Sequence, residues 1–232
     1  MGNIFSKSND SSSREVSSNR QVPFAVVEAY KTIRTNLVYA MSQSDKHSFV
    51  VSSSNQGEGK STTSVNIAIA FSQLGSRVLL VDADLRMPTI YKKMKLSNSE
   101  GLTSILAGLG TFEEAVHKVN TNLDVLTSGP IPPNPSELLS SVKMDSFLEM
   151  ANNMYDYIII DTPPANIVSD AVVLAPKTAG AVIVVHGKST THEQLDKTVS
   201  SLKFADVRLL GVVINGGTEK GKGTSYSDKY GV

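Results

Sequence analysis

The sequence predicts an α/β domain with a mainly parallel central sheet and helices on both faces. Short, uninterrupted apolar runs recur along the chain, and they alternate with segments whose apolar residues follow helical spacing. The runs lack the in–out alternation of half-exposed strands, which is typical of strands covered on both faces. With 232 residues, 40% of them hydrophobic, the chain can build one large domain, and nothing in it indicates a second.

Composition narrows the class of protein further. The 22 basic and 22 acidic residues balance, so no global field favours nucleic acid, and we expect no nucleic-acid partner. The absence of cysteine excludes a disulfide framework and is natural in a reducing compartment. No apolar run approaches the roughly 20 residues that span a bilayer, and the first residues lack the apolar core of a signal peptide. We therefore expect a cytoplasmic protein.

Three segments divide the chain. Residues 1–22 are rich in Ser, Asn and charged residues, which predicts a disordered N-terminal tail. Residues 23–215 carry the patterns of the folded domain. Residues 216–232 consist largely of Gly, Lys, Ser and Tyr, which predicts a flexible C-terminal tail that bears Tyr226 and Tyr230.

Strand and helix patterns follow one another in a regular order. Strands are expected at Phe49–Val51, Arg77–Val81, Leu123–Leu126, Tyr157–Ile160, Ala181–Val185 and Leu209–Ile214. Long helices are expected at about Ala25–Met41, from about Lys60 to near Gly75, and at about Thr191–Phe204. Residues 98–121 are expected to form short helices, with Val116 among their apolar positions.

Two helix starts carry capping signals. Thr190 and Glu193 have the spacing of a capping box at the last long helix. The stiff loop Gly129–Pro135 precedes another helix, which either Asn134 or Ser136 is expected to cap.

The loop after the first strand carries a phosphate-binding pattern, G-x-x-x-x-G-K-[ST]. The pattern fits from Gly59 through Ser61, although Ser54 stands in place of its first glycine. Glycines let successive backbone N–H groups form an anion nest, the lysine reaches the terminal phosphates, and the serine hydroxyl holds Mg²⁺. This predicts a P-loop NTPase type of domain that binds a nucleotide with Mg²⁺. The predicted nucleotide-binding residues of this loop are Gly57, Glu58, Gly59, Lys60, Ser61 and Thr62.

Acidic residues follow two of the predicted strands. Asp82 and Asp84 end one strand, with Arg86 close behind, and Asp161 ends another. The carboxyl ends of parallel strands are where ligands bind in open α/β sheets. One acid at such a place is often structural, whereas three beside a phosphate loop indicate a site for metal and nucleotide. We expect Ser61, Asp82 and Asp161 to serve the metal.

These motifs together resemble those of one family. Residues 53–62 (SSNQGEGKST), 81–88 (VDADLRMP) and 160–164 (IDTPP) resemble the Walker A, A′ and B motifs of bacterial tyrosine kinases. Residues 129–139 and the helix around Glu28 resemble the same family, and the match runs from about residue 24 to the end. Within the family, the chain looks like the separate cytoplasmic kinases of Gram-positive capsule and exopolysaccharide loci, whose membrane-spanning activator is another chain.

The resemblance implies an activity and an assembly. It implies ATP-dependent autophosphorylation of Tyr226 and Tyr230, in trans, within a ring of subunits. The catalytic residues that it implies are Lys60, Asp82, Asp84, Arg86 and Asp161, and Asn215 is expected to touch the adenine. Positioning and charge neutralisation are expected to carry most of the rate, because the transition state of phosphoryl transfer is loose.

The resemblance also implies partners and a place in the cell. It implies a transmembrane activator of the polysaccharide co-polymerase kind, which recruits the kinase to the inner face of the cell membrane, and a cognate tyrosine phosphatase. The regulated process would be capsular or exopolysaccharide synthesis and export. Glu28, Lys31 and Arg34 fall on the family's E-x₂-R-x₂-R subunit-contact motif. From their spacing alone, the three charges fit either a solvated helix face or such a docking surface.

The chain departs from the family pattern in two places. Lys31 replaces the middle arginine of the contact motif and lacks its bidentate fork, and the tyrosine cluster is sparse. An ATP-driven switch of the partition and division-site type is an alternative with the same fold. That class usually has a lysine where this chain has Asn55, and it leaves the tail tyrosines unexplained. A nucleotide-binding scaffold without transfer activity is a third possibility.

Overall fold

The described part of the protein, residues 23–217 of a computed structural model, contains seven strands in one sheet. The strands are β1 (Ser48–Ser53), β2 (Val78–Asp82), β3 (Val116–Asn120), β4 (Leu123–Leu126), β5 (Tyr157–Asp161), β6 (Ala181–His186) and β7 (Leu209–Asn215). Their order is β3-β4-β2-β5-β1-β6-β7, and every neighbouring pair is parallel except β3 with β4. The predicted fold class is confirmed. The predicted N-terminal tail, Tyr226 and Tyr230 lie outside the described residues.

Helices of the described residues cover both faces of the sheet. They are α1 (Phe24–Met41), α2 (Lys60–Ser72), α3 (Ile90–Met94), α4 (Leu102–Ala107), α5 (Phe112–Ala115), α6 (Pro135–Ser140), α7 (Val142–Met154), α8 (Asp170–Leu174) and α9 (His192–Phe204), with a 3₁₀ turn at Ala175–Lys177. Within residues 23–217, no helix combines the length and apolar character needed to cross a membrane.

The core consists of two apolar layers separated by the sheet. Successive side chains of a strand point to opposite faces, so Ile158 and Ile160 of β5 join one layer and Ile159 joins the other. Helices α4, α5, α7, α8 and α9 contribute to the first layer, whereas α1, α2 and α3 contribute to the second. Burial on both faces explains why β2, β5 and β6 are continuous apolar runs in the sequence, whereas the edge strand β7 is partly exposed.

The prediction of short helices throughout residues 98–121 is wrong at its C-terminal end. After the single turn of α5, the chain forms β3, which pairs antiparallel with β4. Val116 and Val119 are three residues apart, a spacing that also suits a helix. In β3 they pack against opposite core layers instead, because a strand alternates its sides.

The capping prediction for the last helix is wrong by one residue. Thr191, and not Thr190, is the N-cap of α9, and its capping-box partner is Gln194 instead of Glu193. Asn134 does occupy the N-cap position of α6, but its side chain binds Glu137 and makes no capping bond. The Thr190 hydroxyl is therefore available for a contact elsewhere.

Phe71 offers a test of the layer that supports the phosphate-loop helix. Its ring is fully buried, and the centroid of the ring lies 4.3 Å from that of Tyr157 and 6.3 Å from that of Phe49. Phe71→Ala should lower the free energy of unfolding by about 3–5 kcal/mol in urea titrations, because it leaves a cavity. Phe204, at 96% exposure, is the matched control, and Phe204→Ala should change stability by less than about 0.5 kcal/mol. Equal effects of the two variants would contradict this packing.

Candidate active site

The loop between β1 and α2 has the backbone conformation that its glycines predict. Gly57 and Gly59 have φ angles of 84° and 90°, in the left-handed region that other residues rarely adopt. Gly59 immediately precedes α2. A Cβ atom on Gly59 would lie 2.1 Å from Nδ2 of Asn215, so a larger residue there would have to displace the Asn215 side chain as well as adopt a strained φ.

A cavity of about 490 Å³ lies against this loop. Three segments line it: the loop and the start of α2 within residues 56–62, the segment after β2 within residues 84–93, and the segment after β5 within residues 163–168. All three follow the carboxyl ends of neighbouring parallel strands, as predicted for a ligand site in this fold class.

Lys60 connects the loop to the acidic residues at the strand ends. Its Nζ lies 2.8 Å from Oδ2 of Asp84, 3.4 Å from Oδ2 of Asp161 and 3.2 Å from Oγ of Ser61. The hydroxyl of Ser64 donates to the other oxygen of Asp161 at 2.9 Å. The structure thus brings together residues from three distant parts of the sequence: the adjacent Lys60 and Ser61, then Asp84, and Asp161.

Asp82 occupies the same region but has different partners. It is opposite Asp161 in the β2–β5 ladder. One carboxylate oxygen accepts the backbone N–H of Asp84 at 3.2 Å, and the other accepts those of Thr89 and Ile90 at 3.2 and 3.1 Å. Asp84 is part of the cavity wall, whereas Asp82 and Asp161 are not.

Burial and mutual charge shift the titration of these groups. Burial, together with the charge of Asp161, raises the pKa of Asp82 to about 8. Burial also raises the pKa of Asp161 above its usual value, although Lys60, Ser61 and Ser64 oppose the shift. Burial alone would lower the pKa of Lys60, but the charges of Asp161 and Asp84 outweigh it and raise this pKa.

The excess of acids fits a magnesium ion that is shared with phosphates. Three buried acids cluster here, and the Lys60 ammonium pairs with two of them, Asp84 and Asp161, so a divalent cation would relieve the remaining repulsion. Among the residues that the structure describes, no three acidic or histidine side chains are arranged to hold a metal by themselves. Mg²⁺ needs few protein ligands, because it keeps several waters and binds substrate phosphates. The assignment of Ser61, Asp82 and Asp161 to the metal stays a prediction.

Comparisons with known proteins identify the family. The family model described as an AAA domain matches residues 46–205. Over 190 residues, the chain is 46% identical to the tyrosine-protein kinase YwqD of Bacillus subtilis (strain 168), which covers 82% of this chain and 80% of the relative. The chain belongs to the bacterial tyrosine kinase family. This confirms the family and the enzyme class, protein-tyrosine kinase, that the motifs predict.

Two further comparisons agree with this family. The putative tyrosine-protein kinase CapB of Staphylococcus aureus is 35% identical over 191 residues, covering 82% of this chain and 84% of the relative. The crystal structure of the chimerical protein CapA2B2 superposes with a TM-score of 0.81 at 36% identity, covering 87% of this chain and 88% of that one. The predicted P-loop type of fold is therefore confirmed.

In this bacterial tyrosine kinase, Arg86 has a partner that sequence analysis did not predict. Its guanidinium binds the fully buried carboxylate of Asp170 through two nitrogens, at 2.8 and 3.2 Å. Ser136 also binds both groups. Arg86 and Asp170 are 84 residues apart, and no sequence motif links them. Arg86 borders the cavity, and its catalytic role stays a prediction.

Sequence analysis also did not predict two other contacts around the site. Nζ of Lys93, on α3, donates to Oγ1 of Thr62 at 2.9 Å, and both residues line the cavity. Asn215, expected at the adenine, lies at the end of β7, where its Nδ2 donates to the carbonyl oxygen of Glu58 at 3.1 Å. The side chain of Glu58 is absent from the cavity wall.

The predicted subunit-contact residues lie on α1, outside the cavity. Lys31 pairs with Glu28 of its own helix at 2.7 Å. Nη1 of Arg34 donates to the carbonyl oxygen of Ala70 in the last turn of α2, at 2.7 Å. A cation there is favourable, because the carbonyls at a helix C-terminus carry partial negative charge. The role of the three residues in assembly stays a prediction.

The raised pKa of Asp82 predicts how stability depends on pH without metal. Between the ordinary value of 3.8 and about 8, Asp82 is ionised in the unfolded chain but protonated in the folded one. The folded state then binds more protons, so the free energy of unfolding should fall as pH rises from 5 to 8, by at most about 1.4 kcal/mol per pH unit from this group.

Urea titrations in EDTA at several pH values measure how the free energy of unfolding changes with pH. Asp82→Asn removes the titrating group and should flatten the slope, whatever its effect on stability at a single pH. Identical slopes for the variant and the wild type would show that Asp82 is ionised throughout.

Proposed function

We propose that the chain is an ATP- and Mg²⁺-dependent autokinase that phosphorylates Tyr226 and Tyr230 on a neighbouring subunit. The observation that carries the proposal is the Lys60 ammonium, held between Asp84 and Asp161 at the base of a phosphate loop. This contact supports the proposal, because a lysine at this position of a phosphate loop reaches the terminal phosphates, and the carboxylates beside it would serve metal and nucleophile. Family membership supports the same chemistry.

The loop residues bind and orient the nucleotide in this proposal. Backbone N–H groups around Gly57 and Gly59 would hold phosphate oxygens, and the positive end of α2 would favour their charge. The Lys60 ammonium would move from Asp84 to the terminal phosphate oxygens. Mg²⁺, held through Ser61 with Asp161 behind it, would neutralise the charge that develops on the phosphoryl group.

We assign to Asp84 the role of binding the hydroxyl of the acceptor tyrosine. Of the three acids, it alone lines the cavity, and it loses the Lys60 contact once a phosphate competes for that ammonium. A carboxylate is a weak base for a hydroxyl whose pKa is about 10. Asp84 would therefore accept a hydrogen bond and orient the tyrosine, and it would take the proton only as the bond to phosphorus forms.

Transfer between subunits is the mode that we propose, and the place where the tail leaves the domain is compatible with it. Strand β7 ends at Asn215, beside the phosphate loop, and the predicted tail starts with Gly216. About ten glycine-rich residues precede Tyr226 and give a reach of roughly 17 Å. This span suffices for an adjacent subunit only if the subunits are in contact, which supports a ring with contacts at Glu28, Lys31 and Arg34.

The cellular setting that we propose comes from the family resemblance. A transmembrane activator would recruit the kinase to the inner face of the membrane, where assembly starts transfer. A cognate phosphatase would reset the tail, and the cycle would regulate capsular or exopolysaccharide synthesis and export. Each phosphate adds nearly two negative charges near an already acidic site, so phosphorylation should expel the tail and loosen the ring.

Asp84→Asn tests the assignment of the nucleophile-orienting residue. It keeps size and shape, but it should slow phosphotyrosine formation on the order of 10²-fold, because the tyrosine loses its acceptor. Binding of ADP, measured by calorimetry, should change only a few-fold. Asp156→Asn is the control, since Asp156 is exposed and pairs with Arg77 away from the cavity. A wild-type rate in Asp84→Asn would remove Asp84 from the mechanism.

A mixing experiment tests transfer between subunits. One protein carries Lys60→Met with intact tyrosines, and the other is active but carries Tyr226→Phe and Tyr230→Phe. Labelled ATP should mark only the Lys60→Met chain, because that chain supplies the acceptors and its partner supplies the site. No label on the Lys60→Met chain, with label in the wild type alone, would establish transfer in cis or other acceptors. ATP hydrolysis without any phosphotyrosine in the wild type would favour the partition-type switch.

A further inference from the structure

The phosphate loop contains a carboxylate that does not face the phosphates. A free carboxylate in an anion-binding loop would repel the ligand, yet Glu58 lies between the two glycines of that loop. Its side chain is absent from the cavity wall, and the residue is only 3% exposed. A buried acid of this kind needs hydrogen-bond partners, and these partners indicate its role.

Glu58 is bonded both within the loop and across to another element. One carboxylate oxygen accepts the backbone N–H of Asn55 at 2.8 Å, and the other accepts the Asn55 side chain at 3.1 Å. The hydroxyl of Thr190, between β6 and α9, donates to Glu58 as well. Thr190 in turn accepts the backbone N–H of His186 at 2.8 Å. The Thr190 hydroxyl thus links the loop to the end of β6.

Two more contacts join the loop to the same side of the domain. Nδ2 of Asn215 donates to the backbone carbonyl of Glu58 at 3.1 Å. Nearer the start of the loop, the buried hydroxyl of Thr198, on α9, donates to Oγ of Ser54 at 2.9 Å. Ser54 occupies the first position of the phosphate-loop pattern, so the loop is attached to the β6–α9–β7 edge at both of its ends.

We propose that Thr190 is a positioning residue that acts through Glu58 to hold the phosphate loop in its binding conformation. Backbone N–H groups that converge on one point repel one another when no anion lies between them. A loop held from outside keeps this arrangement before the phosphates arrive and loses less entropy on binding. The proposal rests on the proposed function in taking the ligand to be an adenine nucleotide.

Nucleotide affinity is the first measurement. Thr190→Val keeps the shape of the side chain but removes both hydrogen bonds of the hydroxyl, so the Kd for ADP with Mg²⁺ should rise about tenfold. Thr190→Ser keeps the hydroxyl and should stay within about twofold of the wild type. Ser189→Ala is the matched control, because this exposed hydroxyl in the same turn contacts only the His186 ring. Equal affinities for Thr190→Val and the wild type would overturn the proposal.

A double-mutant cycle separates action through Glu58 from a general loosening of the β6–α9 turn. If Thr190 acts through Glu58, Thr190→Val should add less than about twofold to the Kd of Glu58→Ala. If the fold-changes in Kd caused by the two single substitutions multiply in the double variant, the two residues act independently and the proposal is overturned. If Thr190→Val fails to fold, Thr190→Ala takes its place in the cycle, with the same expected and overturning outcomes.

Amide hydrogen exchange of the nucleotide-free proteins distinguishes this proposal from the proposed function. Thr190→Val should speed exchange across residues 55–59, and Thr190→Ser should not. Unchanged exchange in Thr190→Val would overturn the positioning role even if nucleotide binds. Absence of ADP binding in the wild type, with the exchange effect present, would overturn the nucleotide site and leave the positioning role of Thr190 intact.

Discussion

The concentration of buried negative charge at one edge of the sheet is the constraint on which the site depends. Parallel strands β2 and β5 end in register, which places Asp82 directly opposite Asp161. The ammonium of Lys60, at the start of α2, binds both Asp84 and Asp161. One ammonium cannot balance three buried acids if all of them ionise, and without metal the raised pKa of Asp82, about 8, keeps that acid protonated at neutral pH. The arrangement is suited to a dication, which would favour ionisation of all three, and to the displacement of Lys60 by phosphates.

The three acids differ because their surroundings differ. Asp82 receives backbone N–H groups and fixes the turn that leads to α3. Asp161 is held by Lys60 and Ser64 and lies behind the residue expected to bind metal. Asp84 borders the cavity, where an incoming hydroxyl can reach it. Carboxylates at the ends of two neighbouring strands thereby occupy different surroundings, and each is expected to serve the site differently.

Sequence reasoning recovers the parts of this protein that local patterns encode. The buried strands are continuous apolar runs, and the glycines of the loop predict its left-handed backbone, so the sheet and the Lys60 cluster were predictable. Strand β3 was not, because Val116 and Val119 suit a helix equally well and only the pairing with β4 decides. The partners of Arg86 and Glu58 were also beyond reach, since Asp170 and Thr190 carry no motif and lie 84 and 132 residues away.

Arg34 has a consequence for how subunits would meet. One nitrogen of its guanidinium is bound to the last turn of α2, which leaves most of its five donors unused in this contact. A free arginine loses considerable rotamer entropy when a partner captures it. Here folding has already removed much of that freedom, so a carboxylate from a neighbouring subunit would meet a side chain that is immobilised in advance. The helix that carries Lys60 would then be the element on which assembly is anchored.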